Sequence, residues 1–383
     1  MSLMNVSRSA SRFNLFILSF SFAIAVALFV PNQSQAQVTC DYTISASDTT
    51  ALINAIDSAN LTDQTADTIC LTNSTYTFTA SHNDIDGANA LPVIISPITI
   101  EGNGAILHRD SAEAFRFFNI HPDADVTIRN VTLSNGGSTG TGDSYSSVIY
   151  TEGILTLENS FVVQSNGYAI TVMNYNADYA LTVNNTEFTD PVGGRALDLN
   201  SSRAIVTSSL FDGFTSSAIY TFGDLSIGDS VFTNNAGSEG GAIRASELSV
   251  TGSRFENNIA SDAGGAIFGA SMTISDTIFA HNELLNGTDG SAIRGYDDDA
   301  QTTVSQSCIV GNSHRRDIVA LSGYYGNFDA SNNWWGTRNR HIVFRQPSTH
   351  QLIVLIICVM LYSQKLTLTT SSMLVTIHGG YSP

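Results

Sequence analysis

A parallel β-helix is the fold this sequence predicts, and three observations predict it. The first is a repeat. Between Leu225 and Asn282 the chain reads as three lines, each opening on alternating apolar residues, reaching Ser or Thr and then Phe, turning at Asn and resuming at Ala-Ile. The leading residues Leu225, Leu248 and Met272 stand 23 and 24 positions apart. A period in the twenties marks a solenoid, because one such unit cannot bury its own apolar face. The second observation is the period-two alternation within each line, bounded by Asn, Gly and Ser, which is strand patterning. The third is negative: no helical segment separates the lines, and the Leu-x-x-Leu-x-Leu pattern of leucine-rich repeats does not occur.

The line extends outward from this centre. Upstream it reads AIVTSSLF from Ala204, LTVNNTEF from Leu181 and LTLENSF from Leu155; VTIRNVTL from Val126 and ITIEGNGAI from Ile98 keep the alternation but lose the Phe. Downstream, TTVSQSCI from Thr302 puts Ile309 in the Phe place and Asn312 in the Asn place. The expectation is about nine coils over residues 98–337, with degenerate outer coils.

Each recurring residue type has a mechanical role in such a coil. Phe232, Phe255 and Phe279 are expected to stack along the interior at about 4.8 Å, the spacing between strands. Asn234 or Asn235, Asn257 or Asn258, and Asn282 are expected to form an internal amide ladder at a bend whose left-handed backbone Asn tolerates. Gly240-Gly241 and Gly264-Gly265 are read as suppliers of positive φ, and Ala242, Ala266 and Ala292 as places too tight for a larger side chain.

Taken in order, residues 1–36 have the form of a secretory signal. Arg8 and Arg12 precede an apolar run from Phe13 to Val30, and Ser34-Gln35-Ala36 follows with small residues at the cleavage positions. An uncleaved anchor is the competing reading, and either one exports the body. Residues 37–97 then form an N-terminal cap and the first strands. Cys40 and Cys70 suit a disulfide in an exported protein, with free thiols as the alternative. Between them, Ser47 or Asp48 is a plausible N-cap for a helix with Leu52, Ala55, Ile56 and Ala59 on one face, covering the open end of the first coil.

The segment Ser74-Thr75-Tyr76, followed by Ile98 to Gly104 (ITIEGNG), resembles the start of bacterial secreted right-handed β-helix proteins. Gly-Gly-Ala-Ile at 240 and 264, with Phe-x-x-Asn at 232, 255 and 279, resembles the repeats of polymorphic outer-membrane proteins. The likeness covers about residues 40–337. It implies an all-β fold, a right-handed single-stranded parallel β-helix with an N-terminal helical cap, exported to the outside or to a bacterial cell surface. No particular chemistry comes with it. Asn333-Trp334-Trp335-Gly336 resembles the end of the last coil in related proteins, and its two indoles are expected to seal the exposed apolar end; a sugar-stacking platform is the other reading.

Charge divides the chain at Thr337. All 34 acidic residues lie in the body, none in the first 36 residues or the tail. Of the 16 basic residues, Arg8 and Arg12 precede the body, while Arg338, Arg340, Arg345 and Lys365 follow it. The body therefore keeps 10 basic residues, all Arg, against 34 acids, a net charge of −24. Such a surface argues against nucleic acid or anionic lipid as partner. The tail, 338–383, is basic and apolar, lacks the repeat, and is read as outside the evolved fold; a surface anchor is the alternative.

No complete catalytic set is legible. The Gly-His-Gly and Arg-x-Lys of polygalacturonase-type sites are missing. A pectate-lyase-type site needs a basic residue to take the proton α to a carboxylate beside Ca2+ ligands, and the low-ranking candidates are Arg244 and Arg294, each following Ala-Ile. Asp297, Asp298 and Asp299 are low-ranking candidates for a Ca2+ site, since three consecutive acids on a strand cannot all face one ion. No cofactor is expected, with Ca2+ the one possibility. The functional expectation is a monomeric adhesive or structural surface protein that meets a host or neighbouring cell surface, matrix or polysaccharide. The alternatives are a polysaccharide lyase and a non-catalytic carbohydrate-binding protein. Outward-facing aromatics along one strand face would favour sugar binding; Arg and Asp converging in a groove would favour a lyase.

Overall fold

Three columns of apolar side chains explain the coil. Leu225, Leu248 and Met272 are Cα partners in adjacent strands, as are Phe232, Phe255 and Phe279, and as are Ile219, Ile243, Ile267 and Ile293. All are buried. Each column belongs to a different strand of the coil, so three inward faces meet along one axis and form a single elongated core. The computed structural model describes residues 38–62, 66–137, 147–174, 180–287, 290–296, 301–314, 321–322 and 327–335. The segment 1–36, the triplet Asp297-Asp298-Asp299 and the tail 338–383 lie outside the described residues.

The molecule is a right-handed parallel β-helix of about nine turns. Among the described residues its named strands pair in parallel, for example Asp224–Gly228 on Ile243–Thr251 and Val231–Thr233 on Arg254–Glu256. The third strand of one coil continues into the first strand of the next: Ile243–Thr251 and Ile267–Ser275 each serve both coils. A helix, α1 (Thr49–Ala59), lies near the N-terminus with Leu52, Ala55, Ile56 and Ala59 buried against the core. Asp48 is its N-cap, its side chain accepting from the Ala51 N–H at 2.8 Å. Cys40 and Cys70 are disulfide-bonded with their Cα atoms 5.7 Å apart, joining the strand Tyr42–Ile44 to its partner Asp67–Leu71.

The Phe stack runs through five coils. Rings of Phe188, Phe211, Phe232, Phe255 and Phe279 follow one another at centroid distances of 4.9, 4.7, 4.8 and 5.0 Å, tilted by no more than 8°. Parallel in-register strands impose this arrangement, since identical rotamers in neighbouring coils repeat at the strand spacing.

Two polar ladders close the corners on either side of that stack. At the corner after Phe, each Asn pair divides the work. Asn234 and Asn257 carry the left-handed φ of 56°, while Asn235 and Asn258 are fully buried and carry the ladder. The Asn235 amide donates to Asn258 Oδ1 at 3.0 Å, Asn258 to Asn282 Oδ1 at 3.0 Å, and Asn282 to Asn312 Oδ1 at 2.8 Å. His281 takes the left-handed place in its coil, at φ 56°, and Gly311 takes it in the next, at φ 65°. At the corner before Phe, Ser209, Ser230 and Ser253 are buried and linked: each Oγ accepts the backbone N–H of the preceding coil at 3.1 Å and donates to the carbonyl two residues back. Ser307 repeats this for Thr277. Both ladders satisfy backbone groups that the bends strip from the sheet.

The Gly-Gly pairs also divide the work, which corrects the reading that both members supply positive φ. Gly264 alone has the left-handed φ, 60°, and a Cβ there would lie 2.1 Å from the Ile267 carbonyl oxygen. Gly265 is needed by the neighbouring coil, since a Cβ on it would lie 2.1 Å from the Ser291 carbonyl oxygen.

Candidate functional site

The outward side of the third strand is where this β-helix concentrates chemistry. Strand alternation sends Ile219, Ile243, Ile267 and Ile293 into the core, so the residues that follow them point outward: Tyr220, Arg244, Phe268 and Arg294. These four are Cα partners in successive coils. Further along the same ladder the column continues through Asp198, Thr171 and Tyr150.

Guanidinium groups and rings interleave along this face. The Arg195 guanidinium carbon lies 4.4 Å from the Tyr220 ring centroid, and that of Arg244 lies 5.2 Å from Tyr220 and 5.8 Å from Phe268. Phe268 stacks on Tyr296 at 4.7 Å, and Phe222 meets Tyr220 edge-on at 5.1 Å. Two of these rings are presented to solvent, Phe222 at 49% and Tyr296 at 37% exposure. Phe268 faces outward yet is only 8% exposed, with the Arg244 guanidinium over its ring and the Tyr296 ring stacked on it.

Carboxylates hold the arginines in place. Arg195 Nη1 lies 3.0 Å from Asp198 Oδ2, and its Nε donates to the Ser216 carbonyl at 2.8 Å. Arg244 Nη2 lies 3.2 Å from Glu239 Oε2. Between them opens a cleft of about 280 Å3 walled by Arg195, Thr215, Ser216, Ser217, Tyr220, Ser238, Glu239 and Arg244. At its rim Asp262 Oδ2 accepts from Ser238 Oγ at 2.6 Å and Ser261 Oγ at 2.8 Å, and these two bonds, Ser238 first, hold its carboxyl below the usual carboxylate value.

Arginine–ring contacts also occur at Arg109 over Phe115 (5.8 Å) and at Arg116 over Tyr150 (5.0 Å), the latter on the same ladder. Arg129 pairs with Glu101, Arg203 with Asp224 and Arg254 with Glu256 elsewhere on the coil, and Arg109 is buried against the Asn135 carbonyl, where loss of solvent lowers its basicity. The face of the third strand takes Arg195, Arg244 and Arg294 together with Tyr and Phe. Arg244 and Arg294, the two candidates read from sequence, share one column but are separated by Phe268. Among the described residues no group of three or more His, Cys, Asp or Glu is placed to hold a metal ion. The ladder residues Phe232, Phe255, Phe279, Asn235, Asn258 and Asn282 all face inward. Tyr220, Arg195 and Glu239 were not singled out by sequence reasoning. The signal that finds the first is the position after Ala-Ile, which holds Tyr, Arg, Phe and Arg in four successive coils.

Comparison with known proteins bears on the fold. A family model described as "Right handed beta helix region" matches residues 116–270. The chain is similar to the alginate lyase from Paenibacillus sp. str. FPU-7 at 14% identity, covering 77% of this chain and 98% of that one with a TM-score of 0.33. It is also similar to the A-module of the mannuronan C-5 epimerase from Azotobacter vinelandii at 13% identity, covering 78% and 100% with a TM-score of 0.32. No curated protein matches. The coil geometry and the matched region together make this chain a right-handed parallel β-helix repeat protein.

Proposed function

We propose that the protein is an exported, non-catalytic β-helix that adheres to an extended polysaccharide laid along the outward face of its third strand. The observation that carries this reading is the interleaved column Arg195–Tyr220–Arg244–Phe268–Tyr296. Sugar rings offer apolar C–H faces that stack on the exposed rings of this face, Phe222 and Tyr296, and hydroxyls that take the donors of Arg. Coil spacing is close to the length of one sugar in an extended chain, so successive coils can address successive sugars. A body of net charge −24, with Arg195 and Arg244 of this face each paired to a carboxylate, favours a neutral polymer over a polyanion. Among the described residues no helix is long and apolar enough to cross a membrane.

The test is calorimetric titration of the full chain with a panel of neutral and acidic polysaccharides, in parallel with an absorbance assay for the unsaturated product of a lyase in the presence of Ca2+. Binding without turnover is expected. Tyr296→Ala should weaken it by roughly five- to thirtyfold, the loss of an exposed stacking ring worth about 1–2 kcal/mol. Unchanged affinity in Tyr296→Ala would remove the face from the site. Turnover abolished by Arg244→Ala would replace adhesion with the lyase reading.

A further inference from the structure

A second apolar cluster lies outside the coil. On the strands Ile278–Ala280 and Cys308–Val310, alternation sends Phe279 and Ile309 into the core, so the residues beside them face outward. Ile278 pairs with Cys308 and Ala280 with Val310, and Trp334 follows as the bridge partner of Cys308. These five form a cluster separate from the main core. Ile278, Ala280 and Cys308 are buried, at 7%, 0% and 4% exposure, although they point away from the coil. Farther along the same outward ladder, Phe161 and Ile106 are 44% and 37% exposed. Cys308 is disulfide-bonded. The chain has four cysteines and Cys40 is bonded to Cys70, so Cys358 is the one sulfur left within the chain for Cys308.

We infer that this outward cluster is a docking surface for the chain's own tail: the apolar run 352–362 covers it, tethered by a bridge from Cys358 to Cys308. The run from Leu352 to Tyr362 is apolar at every position, with Cys358 inside it, and it is too short to cross a bilayer. An apolar segment of this kind in an exported protein needs a protein surface to bury it, and this cluster is one. The chain leaves the last coil at Trp334, itself part of the cluster, so the tail begins beside the surface it covers. Charge favours the approach, since the tail carries four basic residues and no acids against a body of net charge −24. A solenoid's final coil lacks a neighbour on one side, and a tethered cover there holds it against fraying. The inference gives the tail a place in the fold that its lack of the repeat did not suggest, and it is independent of the polysaccharide reading.

The experiment uses the full chain, purified without reductant. Peptide mass spectrometry should find one cross-linked pair joining Cys308 to Cys358, with no thiol titrating in denaturant. Amide hydrogen exchange then reads the cover itself. Cys358→Ser should speed exchange in Ile278–Ala280 and Cys308–Val310 by at least about tenfold, while the strands Glu187–Thr189 and Leu210–Asp212 exchange as before. Slow exchange in those distant strands also shows that the variant is folded. Ile356→Asp keeps the sulfur but spoils the apolar run, and should speed the same two strands with the bridge intact. Free thiols at Cys308 and Cys358, or a bridge between two copies of the chain, overturn the tether. Exchange unchanged in both Cys358→Ser and Ile356→Asp overturns the docking. Polysaccharide binding, measured alongside, should be the same in all three proteins, so the loss of either reading leaves the other standing.

Discussion

Phe255→Ala is expected to lower the stability of the coil by about 3–5 kcal/mol, the cost of deleting a buried aromatic ring and leaving its cavity. The ring is fully buried between Phe232 at 4.8 Å and Phe279 at 5.0 Å, so its loss removes stacking from two coil interfaces at once. In a solenoid those nearest-neighbour interfaces are what hold the array together. The flanking coils cannot collapse into the gap, because the strand spacing is fixed by backbone hydrogen bonds on both sides. Phe268→Ala is the control. Its ring lies outside the core, against Arg244 and Tyr296, and its removal should cost less than half as much while weakening polysaccharide binding. Urea unfolding of the three proteins side by side decides the matter, and equal midpoints for wild type and Phe255→Ala would contradict the stack.

Asn258→Ala is the second substitution with a large expected effect, roughly 2–5 kcal/mol, from stranding buried polar groups at about 1–3 kcal/mol each. Asn258 Oδ1 accepts both the backbone N–H of Asn235 at 3.1 Å and its amide at 3.0 Å. Asn258 Nδ2 donates to the Phe232 carbonyl at 3.0 Å and to Asn282 Oδ1 at 3.0 Å. All of these groups are out of reach of water, and alanine replaces none of the bonds. The adjacent Asn257→Ala offers a sharp comparison. Asn257 is exposed and contributes mainly its tolerance of φ 56°, so its replacement should cost only about 1–2 kcal/mol of backbone strain. Indistinguishable unfolding midpoints for the two variants would mean that the ladder adds nothing beyond the bend.

A third substitution tests the corner. Gly264→Ala introduces a Cβ 2.1 Å from the Ile267 carbonyl oxygen at a left-handed φ of 60°, so the bend must open to admit it. A loss of at least about 1–2 kcal/mol is expected, measured as a drop in thermal midpoint. Gly252→Ala is the milder case: its φ is 64°, but the nearest atom is the movable Asp229 carboxylate. The two should separate clearly.

Sequence by itself determined the coil, its period, the inward columns and the helix near the N-terminus. This was possible because a solenoid repeats its environment: each residue meets its counterpart one period away, so local pattern and global register carry the same information. Leu225, Leu248 and Met272 announce the first strand in the same way that they pair in space. Tertiary structure decided what that information leaves open. It separated Asn258 from Asn257, because the choice between ladder and bend turns on which way one backbone dihedral sends the side chain. It added Phe188 and Phe211 to the ring stack, whose lines had shown the same residue without showing that the rings align. Above all it made the candidate site. Arg195, Tyr220, Glu239 and Arg244 come from three coils and from two different kinds of segment, corner and strand. The core column repeats its residue type because one buried shape fits every coil, whereas the outward column varies from Tyr to Arg to Phe. Its chemistry lies in the order of unlike neighbours across coils and in the side-chain conformations that bring Arg over Tyr, and no period along the chain records those.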